Sequence, residues 1–274
     1  QRSSAKRQSG QNRKYFTDDI VRNRLTISRL AEKIRNCMLV HLDDARIKSR
    51  AGALAPEKVW RGVVLGDESV FTRPERGNDT ELSVDILLDA SASQIERQES
   101  VSTQAYMIAE SLTRCGIPTR VYSFCTLSGC TVLRLYRDYE EPGKNENIFD
   151  YCAAGWNRDG LAFRAAGWLM RSSHCERRLL MILSDASPND DRKITDRDTG
   201  RQELYRGQAG VIDSAEEVEK LRREGISVMC IFTGEDADLP AARRIYGRDL
   251  VRIRSIEQFA DAVGGGIGQL IANM

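Results

Sequence analysis

Histidine is nearly missing: His41 and His174 are the only two in 274 residues. A Ser-His-Asp or Cys-His hydrolase therefore has few candidate members, and no Gly-x-Ser-x-Gly stretch offers a nucleophile turn. His174 lies in RSSHCERR at the expected end of a helix, where a capping or surface role fits better than catalysis. The cysteines (37, 115, 125, 130, 152, 175 and 230) are odd in number, scattered, and contain no Cys-x-x-Cys pair. A structural zinc site needs closely spaced ligand pairs, and a disulfide framework needs an even set in a small secreted chain. Reduced thiols in a cytoplasmic protein are expected instead.

Phosphate cradles are absent as well. No Gly-x-x-x-x-Gly-Lys-Ser/Thr loop occurs, which excludes a P-loop ATPase within this chain. The glycine-rich run Val263–Gly268 fails Gly-x-Gly-x-x-Gly spacing, since Gln269 stands where the last glycine belongs. It reads as a helix break or a close packing point. No run of about eighteen apolar residues exists, so no membrane-spanning helix is expected. Neither sign of charge dominates: 41 Lys and Arg face 40 Asp and Glu. Net charge therefore gives no reason to expect a nucleic-acid partner. Gln1 opens the chain with no signal-peptide pattern after it, as expected of a piece of a longer protein.

What is present is a periodic pattern. Residues 1–14 carry five basic residues and no acid, and 1–16 read as a flexible basic linker. Ile20, Leu25, Ile27, Leu30, Ile34, Met38 and Leu42 recur mostly at three- and four-residue steps, predicting an amphipathic helix over 17–44 after a Thr17-Asp18-Asp19 start. Together with a short helix near Pro56–Val64, an extended piece near Ser69–Thr72 and a polar loop over Arg73–Thr80, it makes residues 17–80 a helical extension packing on the main domain.

From 81 to 274, apolar strands alternate with amphipathic helices. Leu82–Leu88, Leu179–Leu183 and Ile226–Thr233 read as buried strands, with helices over 94–115, 160–171, 213–224, 239–246 and 255–272. This alternation predicts an α/β fold, doubly wound and Rossmann-like, with a mostly parallel sheet and helices on both faces. Ile117–Cys125 and Thr131–Tyr136 leave no room for a crossover helix, so they should form a hairpin that puts one antiparallel strand at an edge. Ser187–Gln208 reads as a long charged loop contacting a partner or covering the site. Trp156 is placed beside the site and Trp168 in the core.

The chemistry gathers at the strand ends. Asp89, Ser91 and Ser93 follow the first buried strand, Ser184-Asp185 closes the next, and Asn157-Arg158-Asp159-Gly160 opens a helix between them. In an open α/β sheet these positions converge outside the carboxyl ends of the strands. All the donors are hard oxygens, which suits Mg²⁺, Mn²⁺ or Ca²⁺ with water completing the shell.

This order resembles the von Willebrand factor A (VWA) domain with its metal-ion-dependent adhesion site. Asp89, Ser91 and Ser93 match the family's Asp-x-Ser-x-Ser, and Asp185 matches its Thr/Ser-Asp-Gly aspartate, with Ala186 in the glycine position. The family's threonine is missing. Asn157 matches its place by spacing, and Asp159 is the better ligand by chemistry. The stretch GALAPEKVWRGVVLGDESVFTRPE, with NRDG, LSDASPND and YRGQAGVID, is similar to the C-terminal part of nitric oxide reductase activation proteins of the NorD type. It is also similar to the cobaltochelatase subunit CobT.

The resemblance implies a recognition role, not catalysis. The metal would keep a position open for an acidic residue of a client protein, and a MoxR-type AAA+ ATPase partner would supply nucleotide hydrolysis. The pair would activate, or insert metal into, a client enzyme. Two alternatives remain at this stage: an Mg²⁺-dependent phosphoryl hydrolase built on Asp89, and a VWA fold with a degenerate metal site.

Overall fold

The computed structural model describes residues 2–44, 46–49, 53–54, 56, 59–60, 64, 71–74, 82–195, 200–253 and 255–273. Three short strands, β1 (Arg46–Ser49), β2 (Ala53–Leu54) and β3 (Phe71–Pro74), form a small antiparallel sheet in the order β1-β3-β2. β3 takes in the end of the extended piece expected near Ser69–Thr72. Arg73 and Pro74, expected to open a loop, belong to β3; the rest of that loop and most of the expected helix near Pro56–Val64 lie outside the described residues.

The central sheet is built from β4 (Leu82–Asp89), β5 (Thr119–Leu127), β6 (Cys130–Arg137), β7 (Arg177–Ser184), β10 (Ile226–Phe232) and β11 (Leu250–Arg252), in the order β11-β10-β7-β4-β5-β6. All neighbours are parallel except β5 and β6, the expected hairpin at the edge. The apolar runs follow from burial on both faces. Val84, Ile86 and Leu88 of β4 join a core with α3 (Gln98–Arg114), α2 (Ile20–Asp44) and α7 (Ile256–Asn273). Leu87, one step out of phase, joins the opposite core with α4 (Asp159–Met170), α5 (Gly207–Arg223) and α6 (Leu239–Tyr246). Asp85 shares that second face. It is fully buried and accepts hydrogen bonds from Tyr122 Oη (3.0 Å) and Tyr139 Oη, and burial pushes its carboxyl up to about 6.

From Arg2 on, the structure departs from the linker expected over residues 1–16: Arg2–Asp18 is helix α1, docked on the domain. Its anchors are mostly polar, which hid them in an apolar-periodicity reading. Buried Asn12 donates Nδ2 to the carbonyls of Phe149 (2.8 Å) and Tyr151 (2.9 Å). Gln8 donates to Glu99 (2.9 Å), Ser9 to Asp150 (2.6 Å), and Arg13 pairs with Glu146. Phe16 adds one buried ring, edge-on to Tyr106. The chain kinks at Asp19, and α2 then lays Ile27, Leu30 and Ile34 into the core.

The run Val263–Gly268 does not break α7; it is a packing seam. A Cβ at Gly264 would lie 3.1 Å from Lys33 Cβ, and one at Gly268 2.5 Å from Cys37 Sγ, both on α2. Gly268→Val should therefore destabilise the domain by about 1–3 kcal/mol through overpacking, despite removing a helix glycine. Urea unfolding checks this, and an unchanged midpoint would show that α2 does not press on α7 there.

Two further expectations change. Ser187–Gln208 is mostly a hairpin, β8 (Asn189–Thr195) paired with β9 (Gln202–Arg206), and α5 begins at Gly207. Charged side chains disguised the strands, although Asp190 and Tyr205 are both buried. Trp168 is 68% exposed, because Phe163, Ala166 and Met170 occupy the inner face of α4. Among the described residues no helix is long and apolar enough to cross a membrane.

Candidate metal centre

The helix after β4 packs on one face of the sheet, while the helix after β7 packs on the other. Strand order therefore reverses between these two neighbours, and a crevice opens at their carboxyl ends. Asp89 ends β4, and Ser184 ends β7 with Asp185 directly after it.

Asp89 is completely buried. Its Oδ1 accepts the Ser91 N–H at 2.9 Å, and its Oδ2 accepts the Ser184 hydroxyl at 3.0 Å. Tyr151 Oη donates to its backbone carbonyl. The Ser91 and Ser93 hydroxyls lie 2.9 Å apart, with Ser91 buried and Ser93 open to solvent. Asp185 Oδ1 accepts the Ser187 N–H at 3.2 Å. Ala186 follows with φ at 57°, a left-handed conformation that favours glycine, so the glycine position of the resemblance has a backbone cause.

The Asn157–Gly160 segment reaches this edge from the start of α4. Asn157 is fully engaged: Oδ1 accepts the Asn189 N–H (3.1 Å), and Nδ2 donates to Asp159 Oδ1 (2.9 Å) and the Ser187 carbonyl (3.1 Å). Asp159 Oδ2 is buried and has no hydrogen-bond partner. A Cβ at Gly160 would lie 2.1 Å from Asp213 Oδ2, so a side chain there would displace the Asp213 carboxylate. Tyr205 Oη accepts the Gly160 N–H and donates to Asp213 Oδ2, both at 2.9 Å. The β8–β9 hairpin thus straps the segment from above, through Asn189 and Tyr205. Asp190, next along the hairpin, is also buried with Oδ2 unpartnered.

The carboxylates strain one another electrostatically. Burial first, and then Asp185, pushes Asp89 up to about 7. Burial, then Asp89 and Asp185, pushes Asp159 well above the carboxylate range, and burial raises Asp185. A divalent cation is the natural relief for like charges gathered out of water. The unpartnered Asp159 Oδ2 is a free oxygen of the right hardness, and the two serine hydroxyls, now paired with each other, add two more of the same kind. Among the described residues no three His, Cys, Asp or Glu side chains cluster closely enough to hold an ion by themselves. Hydroxyls and water would have to share the shell with the acids.

Each sequence-identified residue, Asp89, Ser91, Ser93, Asn157, Asp159 and Asp185, is therefore on this edge. Sequence reading missed the supports: Tyr151, Asn189 and the Tyr205–Asp213 pair. Ser184 alone had a signal, its place beside Asp185.

No family model matches the chain. NorD of Stutzerimonas stutzeri is 27% identical over 179 residues, 64% of this chain and 25% of that protein. An uncharacterized protein of Pseudomonas aeruginosa is 26% identical over 163 residues, 58% of this chain and 24% of its own. The chain thus aligns with about a quarter of the length of these relatives. Among solved structures, the pilus adhesin SpaC of Lactobacillus rhamnosus GG in its open conformation superposes with a TM-score of 0.52 at 14% identity, covering 70% of this chain and 30% of SpaC. The vWF domain of the type V pili tip protein Mfa5 of Porphyromonas gingivalis gives 0.50 at 10% identity, covering 70% of this chain and 95% of that domain.

Proposed function

We propose that this chain, which carries a VWA-type domain related to NorD, is a metal-dependent protein-interaction module that acts in the cytoplasm with a MoxR-type AAA+ ATPase to activate, or insert metal into, a client enzyme. The observation that carries the metal-dependent reading is the set of buried carboxylates Asp89, Asp159 and Asp185 beside the Ser91 and Ser93 hydroxyls at the switch point.

Mg²⁺, Mn²⁺ or Ca²⁺ bound there would supply a positive seat for a partner's acidic side chain. Ser91, Ser93 and Asp185 would hold it, with Asp159 in place of the family threonine. Asn157 acts as a positioning group, because every polar atom of its side chain is already engaged. Asp89 has both carboxylate oxygens tied by donors, so it orients the serine turn and contributes charge through water. That tethering disfavours Asp89 as a nucleophile and with it the phosphoryl-hydrolase alternative.

The test is co-sedimentation of the chain with the MoxR-type ATPase of the same organism, with the client present. The complex is expected to persist in Mg²⁺, to dissociate in EDTA, and to be lost in Asp185→Ala. A complex indifferent to EDTA and to Asp185→Ala would remove the metal from the recognition step.

A further inference from the structure

We propose that the rim of the metal edge selects a partner segment whose ligating acidic residue is flanked by bulky apolar side chains. The inference rests on the metal-dependent reading above and specifies the chemistry of the segment that completes the site.

Three large apolar side chains stand half exposed on the loops that carry or brace the candidate ligands: Ile95 at 49%, Leu127 at 45% and Trp156 at 47%. Ile95 lies in the short turn Ala92–Arg97 directly after Ser91. Leu127 ends β5, the neighbour of β4. Trp156 precedes Asn157. The loops are stitched together by backbone bonds. Thr126 N donates to the Trp156 carbonyl (2.6 Å), Trp156 N to the Thr126 carbonyl (3.0 Å), and Ala92 N to the Gly155 carbonyl (2.9 Å). Leu127 packs so closely on Gly155 that a Cβ there would lie 2.7 Å from its Cδ2. The apolar groups are therefore held on the same braced edge as Asp89 and Ser91.

Charge on this edge is mixed. Arg97 is paired with Glu235 (3.1 Å), and Arg158 donates to the Lys193 carbonyl and stacks on Tyr205. Exposed Arg192 and Lys193 are offset by exposed Glu96 and Asp191. Fixed side-chain charge does not set the sign of the partner; the cation does, and it calls for a carboxylate. The apolar groups then favour neighbours that can leave water with it. In an extended segment the side chains two residues before and two after the acid share its face, the arrangement that three rim groups spread over three loops can meet.

The test titrates acetylated, amidated Leu-Gly-Glu-Gly-Leu, Gly-Gly-Glu-Gly-Gly and Leu-Gly-Gln-Gly-Leu peptides (by their same-face residues, Leu-Glu-Leu, Gly-Glu-Gly and Leu-Gln-Leu) into the chain by NMR, in Mg²⁺ and in EDTA. Covering the half-exposed rim should make Leu-Glu-Leu bind about tenfold more tightly than Gly-Glu-Gly in Mg²⁺. Leu-Gln-Leu should fail, as should every peptide in EDTA. Trp156→Ser and Leu127→Ser, both surface changes, should reduce Leu-Glu-Leu toward the glycine peptide while Mn²⁺ binding stays unchanged. Equal affinity for the two glutamate peptides in Mg²⁺ would overturn the rim inference and leave the metal reading standing. Leu-Glu-Leu binding that persists in EDTA would overturn the metal reading itself. Mn²⁺ binding with no peptide binding would overturn both the rim inference and the acidic-ligand part of the function.

Discussion

Asp89→Asn is expected to raise the melting temperature of the cation-free protein and to cut sharply the further rise that Mg²⁺ gives the wild type. The two effects share one cause. Asp89 is buried among like charges, and its ionised form is disfavoured enough to lift the carboxyl to about 7. Removing that charge relieves burial and repulsion, while asparagine keeps an oxygen for the Ser91 N–H and can donate its amide N–H to the Ser184 hydroxyl oxygen. The net gain without cation should be of order 1–2 kcal/mol near pH 8, a few degrees in melting temperature. With Mg²⁺ the sign reverses, because the carboxylate that costs stability in the free domain helps to hold the ion. Affinity should fall by about 10–100-fold. Thermal unfolding of both proteins in EDTA and in Mg²⁺ gives all four values. A variant less stable than wild type in EDTA would mean that Asp89 is a structural acceptor first, and the electrostatic account would be wrong.

The second large effect is in pH. The folded-state carboxyls of Asp85 (about 6) and Asp89 (about 7) lie above the ordinary 3.8, so the unfolded chain releases these protons first as pH rises. Their contribution to stability is fully present below about 4 and is lost as pH climbs through 6 to 7. The cation-free protein should therefore melt lower at pH 8 than at pH 5.5. Mg²⁺ competes with the proton at the Asp89 end, so its stabilising increment should run the other way, large at pH 8 and small at pH 5.5. Asp85 is remote from the ligand set, held by Tyr122 and Tyr139, so Asp85→Asn should flatten part of the cation-free slope and leave the Mg²⁺ increment intact. An increment independent of pH would separate the ion from the buried acids.

The same residues show why part of this molecule was legible in its sequence. Strands buried on both faces must be apolar throughout, and a hairpin cannot hide a crossover helix, so β4, β7, β10 and the β5–β6 edge were visible as runs and gaps. Asp89, Ser91, Ser93 and Asp185 were visible because each breaks or follows an apolar run at its carboxyl end. Helix α1 was not, since Gln8, Ser9, Asn12 and Arg13 fasten it with hydrogen bonds to partners about 90 to 140 residues away, which no local pattern encodes. The β8–β9 hairpin was hidden in the same way by its charges. The choice between Asn157 and Asp159 turned on which polar atoms are already engaged, a property of three-dimensional neighbours. Asn157 spends its amide on Asn189, Ser187 and Asp159; Asp159 keeps one oxygen free.

That free oxygen makes the central claim measurable. A Mn²⁺ titration followed by spin resonance should show one saturable site in the wild type, abolished in Asp89→Ala and in Asp159→Asn, and only weakened in Asn157→Ala. No saturable Mn²⁺ binding to the wild type, or binding untouched by Asp89→Ala and Asp159→Asn, would contradict the assignment of a divalent cation to this edge.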